Sequence, residues 1–473
     1  MTVAGGLRAA TMIALLGTGC AKYTAQPLSP ETSAAAFGGR TLADSALTVF
    51  LTTYDSSAST EWDTQRLALS AWYFRSDLEV SRRAWRTVQA AEVTAGARPA
   101  IGVTGAVEAA DNPGPFESRW TVTLGLIFRI ELGGKRGARI AAAEARSLVA
   151  ELQARVVAWN IASDVRTAAL TIVQGDSSMA AWTRRVARSE QVADQVSRLY
   201  ESDAVGQSAV DQATAEARLA GLALSAADAQ VIAARADLAR LIGVPAAVID
   251  TLTISTAGAV GCEWASGQSL EELRGIALRR RYEMGVALAE YAVAEADLRV
   301  EITKQYPDLE LMPGYSWDQG LRRWIGAFGL PNLLRNRNKG PIGEAIARRN
   351  QMASAVEATQ QEVLSQVEAA FAECRATAQQ LASARQLVEA LRVRERTARA
   401  AFDRGERGQF ESMGLALAVA DAESAQQEAQ LRRVVTGSEL GRATGVWAVG
   451  HAPDLPDPLL LPTATFVVQE SVQ

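Results

Sequence analysis

Histidine is nearly absent: His451 is the only one in 473 residues, and there are just three cysteines. No methionine cluster makes up for them, so the chain lacks the soft ligands that a fixed transition-metal site needs. Basic blocks with interleaved aromatics are also missing, and the net charge is mildly negative at -5, which argues against a nucleic-acid partner. No paired acids, nucleophile motif or metal-ligand set marks an enzyme. Gly133-Gly134-Lys135-Arg136 lacks the spacing of a phosphate loop. Proline is missing from the whole stretch between Arg136 and Asp203, and glycine is scarce there.

Alanine is abundant, with plentiful Gln, Arg and Glu, and that mix favours long helices meeting along a narrow seam. The stretch from Arg136 to Asp203 would span roughly 100 Å as one helix. A heptad seam runs through Val356, Val363, Val367, Ala370, Cys374, Leu381, Ala384, Val388 and Leu391. Leu148, Leu152, Val156 and Trp159 keep a similar spacing earlier in the chain.

The two stretches belong to a longer correspondence. Tyr200, Gly206, Gln207, Gly243 and Val244 recur as Phe402, Gly408, Gln409, Gly445 and Val446, a constant offset of 202 (445 − 243). Arg146, Val165 and Ala168 recur at the same offset as Arg348, Val367 and Ala370. Length alone would allow about three domains. A shared register instead predicts one architecture built from two copies of a large module. Gly243 and Gly445 read as C-cap glycines closing each copy.

Period-two patterning interrupts the helices once per copy. Trp120, Val122, Leu124, Leu126, Phe128 and Ile130 alternate with smaller or polar residues, and the turn-rich Asp111-Asn112-Pro113-Gly114-Pro115 precedes them. In the second copy Leu309, Leu311, Tyr315 and Trp317, then Trp324, Gly326 and Phe328, alternate about Asp318-Gln319-Gly320. Two hairpins are expected, with strands at about 100–108 and 119–130, then 308–317 and 322–330. Strands of this length cross a bilayer when tilted, but four cannot close a barrel and an open edge cannot face lipid. Three chains pooling four strands each would make a 12-stranded barrel. Trp120, Val122, Leu124 and Leu126 would then face lipid, and Thr121, Thr123 and Gly125 the lumen. Trp120, Tyr315, Trp317 and Trp324 are placed for an interfacial belt. The plainer alternative is a small soluble sheet packing its apolar face on the helices.

The N-terminus reads as an export signal: Arg8, an apolar run from Ala9 to Leu16, then Gly17-Thr18-Gly19-Cys20. The Cys after Gly resembles the lipobox of bacterial lipoproteins, although Leu16 lies four rather than three residues before Cys20. That resemblance implies a signal peptide at 1–19, a lipid on Cys20 and a tether at 20–40. No other cofactor is expected. Cys262 and Cys374 match no metal or redox spacing, and Cys374 on the seam reads as a buried thiol.

The remaining domain reading is one repeat at 41–250, a linker at 251–268, a second repeat at 269–450 and a loose tail at 451–473. Each repeat opens on one helical stretch, 41–97 and about 269–305.

Arg281-Tyr282-Glu283-Met284, the small-residue run Ala292-Val293-Ala294-Glu295-Ala296, and Tyr306-Pro307-Asp308-Leu309-Glu310-Leu311 resemble the TolC-type outer-membrane efflux factors. So do the strand-to-helix junctions 131–136 and 330–340. The Gly-Gly-Lys-Arg form is most similar to the heavy-metal branch of CzcC and CusC type. The resemblance covers about 40 to 450. It implies a mainly helical homotrimer with a small β part, whose strands form one barrel in the outer membrane of a Gram-negative cell and whose long antiparallel coiled-coil helices form a periplasmic tunnel. Such a duct is passive: it docks on a membrane-fusion adaptor and an inner-membrane pump of RND type, and it meets outer-membrane lipid. A competing reading is a periplasmic adaptor or structural coiled-coil lipoprotein with no pore.

Gate residues follow from the same resemblance. The family's aromatic before the turn glycine corresponds to Phe402 before Gly405, its Arg to Arg407, and its acid to Glu411, a ring of which would favour cations. Asp403, Arg404, Glu406 and Arg407 could lock a closed tip through ion pairs, or be solvated turn charges. In the first copy Tyr200, Asp203 and Gly206 hold the turn. Counting from Gly206 puts Asp211 at the acid position, one residue short of the family's spacing.

Overall fold

An alanine-rich chain without proline continues as helix until a glycine or a strand entry stops it, and that governs most of the computed structural model. It describes residues 23–54, 61–111, 114–115, 118–256, 259, 261–318, 321–331, 337–404, 409–447 and 457–462, with backbone only at 409–413. The segment 1–40 falls in a unit of its own, where Ser29 caps helix α1 (Pro30–Gly38). Cys20 lies outside the described residues.

Residues 41–465 form the main unit. It opens with α2 (Ser45–Tyr54), α3 (Thr64–Phe74) and α4 (Ser76–Gly96), then β1 (Gly102–Ala109) and β2 (Trp120–Ile130). The long α5 (Lys135–Glu201) and its return α6 (Gln207–Ile242) follow. The second half runs α7 (Leu270–Arg280), α8 (Tyr282–Thr303), β3 (Leu309–Asp318), β4 (Leu321–Gly329), α9 (Lys339–Asp403) and α10 (Gln409–Thr444). The single stretches expected at 41–97 and 269–305 are therefore broken. An arginine in extended backbone, Arg75 or Arg281, separates α3 from α4 and α7 from α8. The strands match expectation to within two residues.

α5 has 67 residues and α9 has 65, so each rises about 100 Å. α5 pairs with α6 and α9 with α10, and α8 lies against both long helices. Across the halves, Arg442 reaches Asp164 at 2.7 Å and Arg185 pairs with Asp421, joining α10 to α5.

Two apolar cores result. One gathers Leu47, Leu67, Trp72, Ile161, Val165, Ile172, Leu238 and Leu241. The other gathers Leu273, Val363, Val367, Cys374, Leu440 and Ala443. Ile161, Val165, Ile172, Leu238 and Leu241 lie 202 residues before Val363, Val367, Cys374, Leu440 and Ala443, so one register fills both cores. Small residues let backbones close up: Trp72 Nε1 donates to the Ala158 carbonyl at 2.8 Å, inside the first core.

Two sequence expectations are corrected. Cys374 is not a free thiol. It forms a disulfide with Cys262, on a 3-10 turn of the linker (Cys262–Ala265), which pins the linker to α9. Gly437 of α10 permits this approach, because a Cβ there would run into the Gly261–Cys262 backbone. The tail is not loose at 457–462: Leu459 and Leu461 are buried, and Asp457 takes both guanidinium nitrogens of Arg155 at 3.2 and 3.1 Å. The buried Arg82 donates to the Pro458 carbonyl.

Candidate membrane sheet and helical tip

The four strands form one antiparallel sheet in the order β1-β2-β3-β4, so β2 and β3 splice the two hairpins together. Register sorts the side chains into rows. Val107, Val122, Trp317 and Arg322 form one row, and Gly105, Leu124, Tyr315 and Trp324 the next. Phe128, Leu311 and Phe328 continue the same face. This apolar face is not packed on the helices: Trp324 is 85% exposed and Phe328 73%. Apolar patches of this extent mark a membrane or a partner.

The opposite face is polar and knitted together. Thr121 Oγ1 donates to Asp318 Oδ1 at 2.8 Å, and Thr123 Oγ1 to Ser316 Oγ at 3.2 Å. Arg129 pairs with Glu310 at 2.8 Å and Arg323 with Asp318 at 2.9 Å. β1 and β4 have no further strand beside them among the described residues, leaving rows of unpaired backbone groups.

Ion pairs fix the sheet on the helices. Gly133 and Gly134, at φ 71° and 77°, turn the chain from β2 into α5. Gly133 also sits under the Tyr306 ring, where any Cβ would clash. Lys135 reaches Asp308 at 2.6 Å, Arg139 pairs with Glu131, and Arg136 Nε donates to the Gly96 carbonyl at 2.7 Å. At the second junction Asn338 takes the left-handed N-cap position at φ 52°, and its amide donates to the Glu301 carbonyl at 2.8 Å.

The far end of α5 explains the first tip. Asp203 adopts φ 58°. Ala204 N–H donates to the Leu199 carbonyl at 2.9 Å and Asp203 N–H to the Tyr200 carbonyl at 3.0 Å. That is a Schellman ending with Asp in the place glycine usually takes. The offset of 202 carries Asp203 onto Gly405, and Tyr200 onto Phe402. The first-copy turn is therefore counted from Asp203, not Gly206, which is the N-cap of α6. On that count Ala209 corresponds to Glu411. Asp211 lies two residues further on and accepts from Gln207 Nε2 at 2.9 Å.

Tyr200, Asp203, Gly206 and Asp211 thus come together at one exposed turn. At the second tip Phe402, Asp403 and Arg404 end α9 and are exposed. Gly405, Glu406 and Arg407 lie outside the described residues, as does the side chain of Glu411. Among the described residues, no cluster of three His, Cys, Asp or Glu is arranged to hold a metal ion.

Pattern reading missed three polar features. Arg75 and Arg281 each hold the end of a returning helix. Arg75 could have been found, since Arg75-Ser76-Asp77-Leu78 repeats the spacing of Arg281-Tyr282-Glu283-Met284. Arg166 is 2% exposed within the first core, its guanidinium stacked over Trp447 at 5.0 Å. Burial pulls its pKa down to about 10, which leaves it charged at neutral pH. Glu439 of α10 is half-buried, and its carboxyl is raised by desolvation and then by the nearby Glu373.

Residues 78–244 match the family described as outer membrane efflux protein. Among solved structures, the fold is similar to a membrane protein from Pseudomonas aeruginosa at 18% identity, covering 90% of this chain and 97% of that one with a TM-score of 0.64. It is also similar to CusC, at 16% identity with 83% and 96% covered and a TM-score of 0.62. VceC from Vibrio cholerae is similar at 16% identity, with 81% and 96% covered and a TM-score of 0.63. No curated protein sequence matches significantly. The family match is confined to 78–244, while over most of the chain the likeness to these solved membrane proteins is one of fold.

Proposed function

We propose that the chain is the exit duct of a tripartite efflux system, conducting passively what an inner-membrane RND-type pump delivers through a periplasmic adaptor. The sheet carries this reading. Its apolar face is exposed, its opposite face is polar and cross-linked, and its two edges are open. An open edge is intolerable in lipid, so three chains pool twelve strands into a closed barrel with the polar face toward the lumen. The shared register of the two cores supports a tandem repeat, and two repeats in three chains give a tunnel of near-sixfold symmetry. Leu219, Leu222 and Ile232, exposed on α6, supply apolar surface for neighbouring chains. A poreless coiled-coil lipoprotein has no use for such a sheet.

The tips are the proposed gate, its residues being Phe402, Glu406, Arg407 and Glu411 in the second copy and Tyr200 and Asp203 in the first. The N-terminus is a signal peptide ending in a lipidated Cys20. The Gly-Gly-Lys-Arg junction leans toward the heavy-metal branch, while no cluster of three metal-ligating side chains occurs among the described residues.

Planar-bilayer recording tests the duct. The purified trimer should conduct, and E406Q/R407Q should conduct more. Silence from both would sink the pore. Equal palmitate labelling of wild type and C20A would sink the anchor.

A further inference from the structure

On the apolar face of the sheet, register places one charged residue among the described positions, Arg322. It is exposed, pairs in register with Trp317, and stands two residues from Trp324 on the same strand. Trp120 begins β2 at the same end of the sheet. The nearby carboxylate, Asp318, lies on the opposite face and is taken by Arg323 at 2.9 Å. No described acid is paired with Arg322.

Its height follows from strand geometry. The helices join the sheet at the end holding Gly133, Asp308 and Asn338, so the hairpin turns mark the opposite, outward end. Arg322 and Leu330 lie eight residues apart. At about 3.3 Å per residue and a tilt of about 40° this is roughly 20 Å of height. The apolar band of such barrels is about 25 Å tall. With Leu330 near the inner boundary, Arg322 reaches the outer headgroups.

A lone arginine there meets a specific chemistry. Its planar fork matches two phosphate oxygens, and it sheds water more readily than lysine does. Register puts Trp317 across from it on β3 and Trp324 two residues along β4, so two indoles neighbour the arginine on the same face. We propose that Arg322, framed by Trp317 and Trp324, binds the phosphate of an outer-leaflet lipid. The site rests on the lipid-facing reading of the apolar face. It would occur once per chain and would fix the height of the barrel in its membrane.

The test uses full-length protein in dodecyl maltoside micelles, which carry no phosphate, as wild type, R322K and R322Q. The thermal midpoint is followed as diphosphoryl lipid A, its dephosphorylated form or inorganic phosphate is added. Only the phosphorylated lipid should raise the wild-type midpoint. R322K should keep part of that rise, and R322Q should need roughly tenfold more lipid for it. No rise in wild type, an equal rise in R322Q, or an equal rise with the dephosphorylated lipid overturns the site. An equal rise with inorganic phosphate overturns the lipid as its source. If R322Q does not fold, R322K and the wild-type probe series decide. Brominated phosphatidylcholine separates the two readings. Tryptophan quenching that W324F reduces upholds the lipid-facing face, and its absence sinks that face itself.

Discussion

Arg281 Nη1 donates to the Ala443 carbonyl at 3.2 Å, and Arg75 Nη1 donates to the Leu241 carbonyl at 3.1 Å. The two acceptors are 202 residues apart, one at the end of each returning helix. Each arginine sits in the break between two helices and also holds an acid two residues on. Arg75 Nε reaches Asp77 at 2.7 Å and Arg281 Nε reaches Glu283 at 2.9 Å. A cation at a helix C-terminus meets both the orphan carbonyls and the negative end of the dipole.

Removing these clamps should destabilise the fold. Arg281→Ala is expected to cost about 2–3 kcal/mol, because hydrogen bonds to a charged group are lost and buried carbonyls are orphaned. Arg75→Ala should cost less, since its side chain is 21% exposed against 9% for Arg281. Arg281→Lys should recover only part, as one ammonium cannot span both partners. Urea denaturation measures all three. The Arg75 guanidinium also holds the Asp77 carboxyl below the usual carboxylate range. That contribution is complete above the ordinary value of 3.8 and fades as pH falls through the lower folded value.

The disulfide should matter more than any single clamp. Cys262 and Cys374 are 112 residues apart, and closing a loop of that size is worth up to about 4–5 kcal/mol in the chain-entropy model. Cys262→Ser, Cys374→Ser and reductant should each lower the urea midpoint to the same degree, without adding to one another. A wild-type midpoint that ignores reductant would show that the bond is not formed.

Glu439 should work in the other direction. Desolvation, reinforced by Glu373, raises its folded pKa above the ordinary value of 4.5. The fold therefore holds its full stability from this group below that value and loses some as pH rises through the folded pKa. Glu439→Gln should raise the thermal midpoint at neutral pH, and the gain should vanish at about pH 4. A gain that is equal at both pH values would rule out the carboxylate as its cause.

Register and period were legible because they are spread over many residues. The offset of 202 locates both cores, and alternation places all four strands to within two residues. The disulfide was not legible, since Cys374 on the seam already had a sufficient reason to be buried. The signal for pairing was weaker: two cysteines left over beyond Cys20 in a chain whose N-terminus reads as an export signal. Single arginines such as Arg166 leave no periodic trace, because seam position alone does not distinguish a buried guanidinium from a solvated one. At the first tip, Asp203 hid the register by occupying a glycine position.

That tip offers its own test. An L-residue at φ 58° is strained, and Asp tolerates the region better than most. Asp203→Gly should be neutral to stabilising by up to about 1 kcal/mol, and Asp203→Val should cost about 1–2 kcal/mol. If Val is tolerated as well as Gly in urea denaturation, the left-handed turn is not the native one.

The two faces of the sheet should respond oppositely to the same substitution. Leu124 and Thr123 are neighbours on β2, one on the apolar face and one hydrogen-bonded to Ser316 on the polar face. In the proposed barrel, Leu124→Arg puts a cation near mid-height toward lipid, where it costs about 2–4 kcal/mol, and should cut the yield of heat-resistant trimer in outer membranes. In the same proposed barrel, Thr123→Arg puts that charge toward the lumen. It should assemble at near-normal yield and shift the reversal potential of the reconstituted channel toward anions. The pair is informative because composition, charge and strand are held constant while only the face changes. Should Thr123→Arg lose the trimer and Leu124→Arg keep it, the sheet would be inverted. Should neither affect yield, the sheet would not be in the membrane at all.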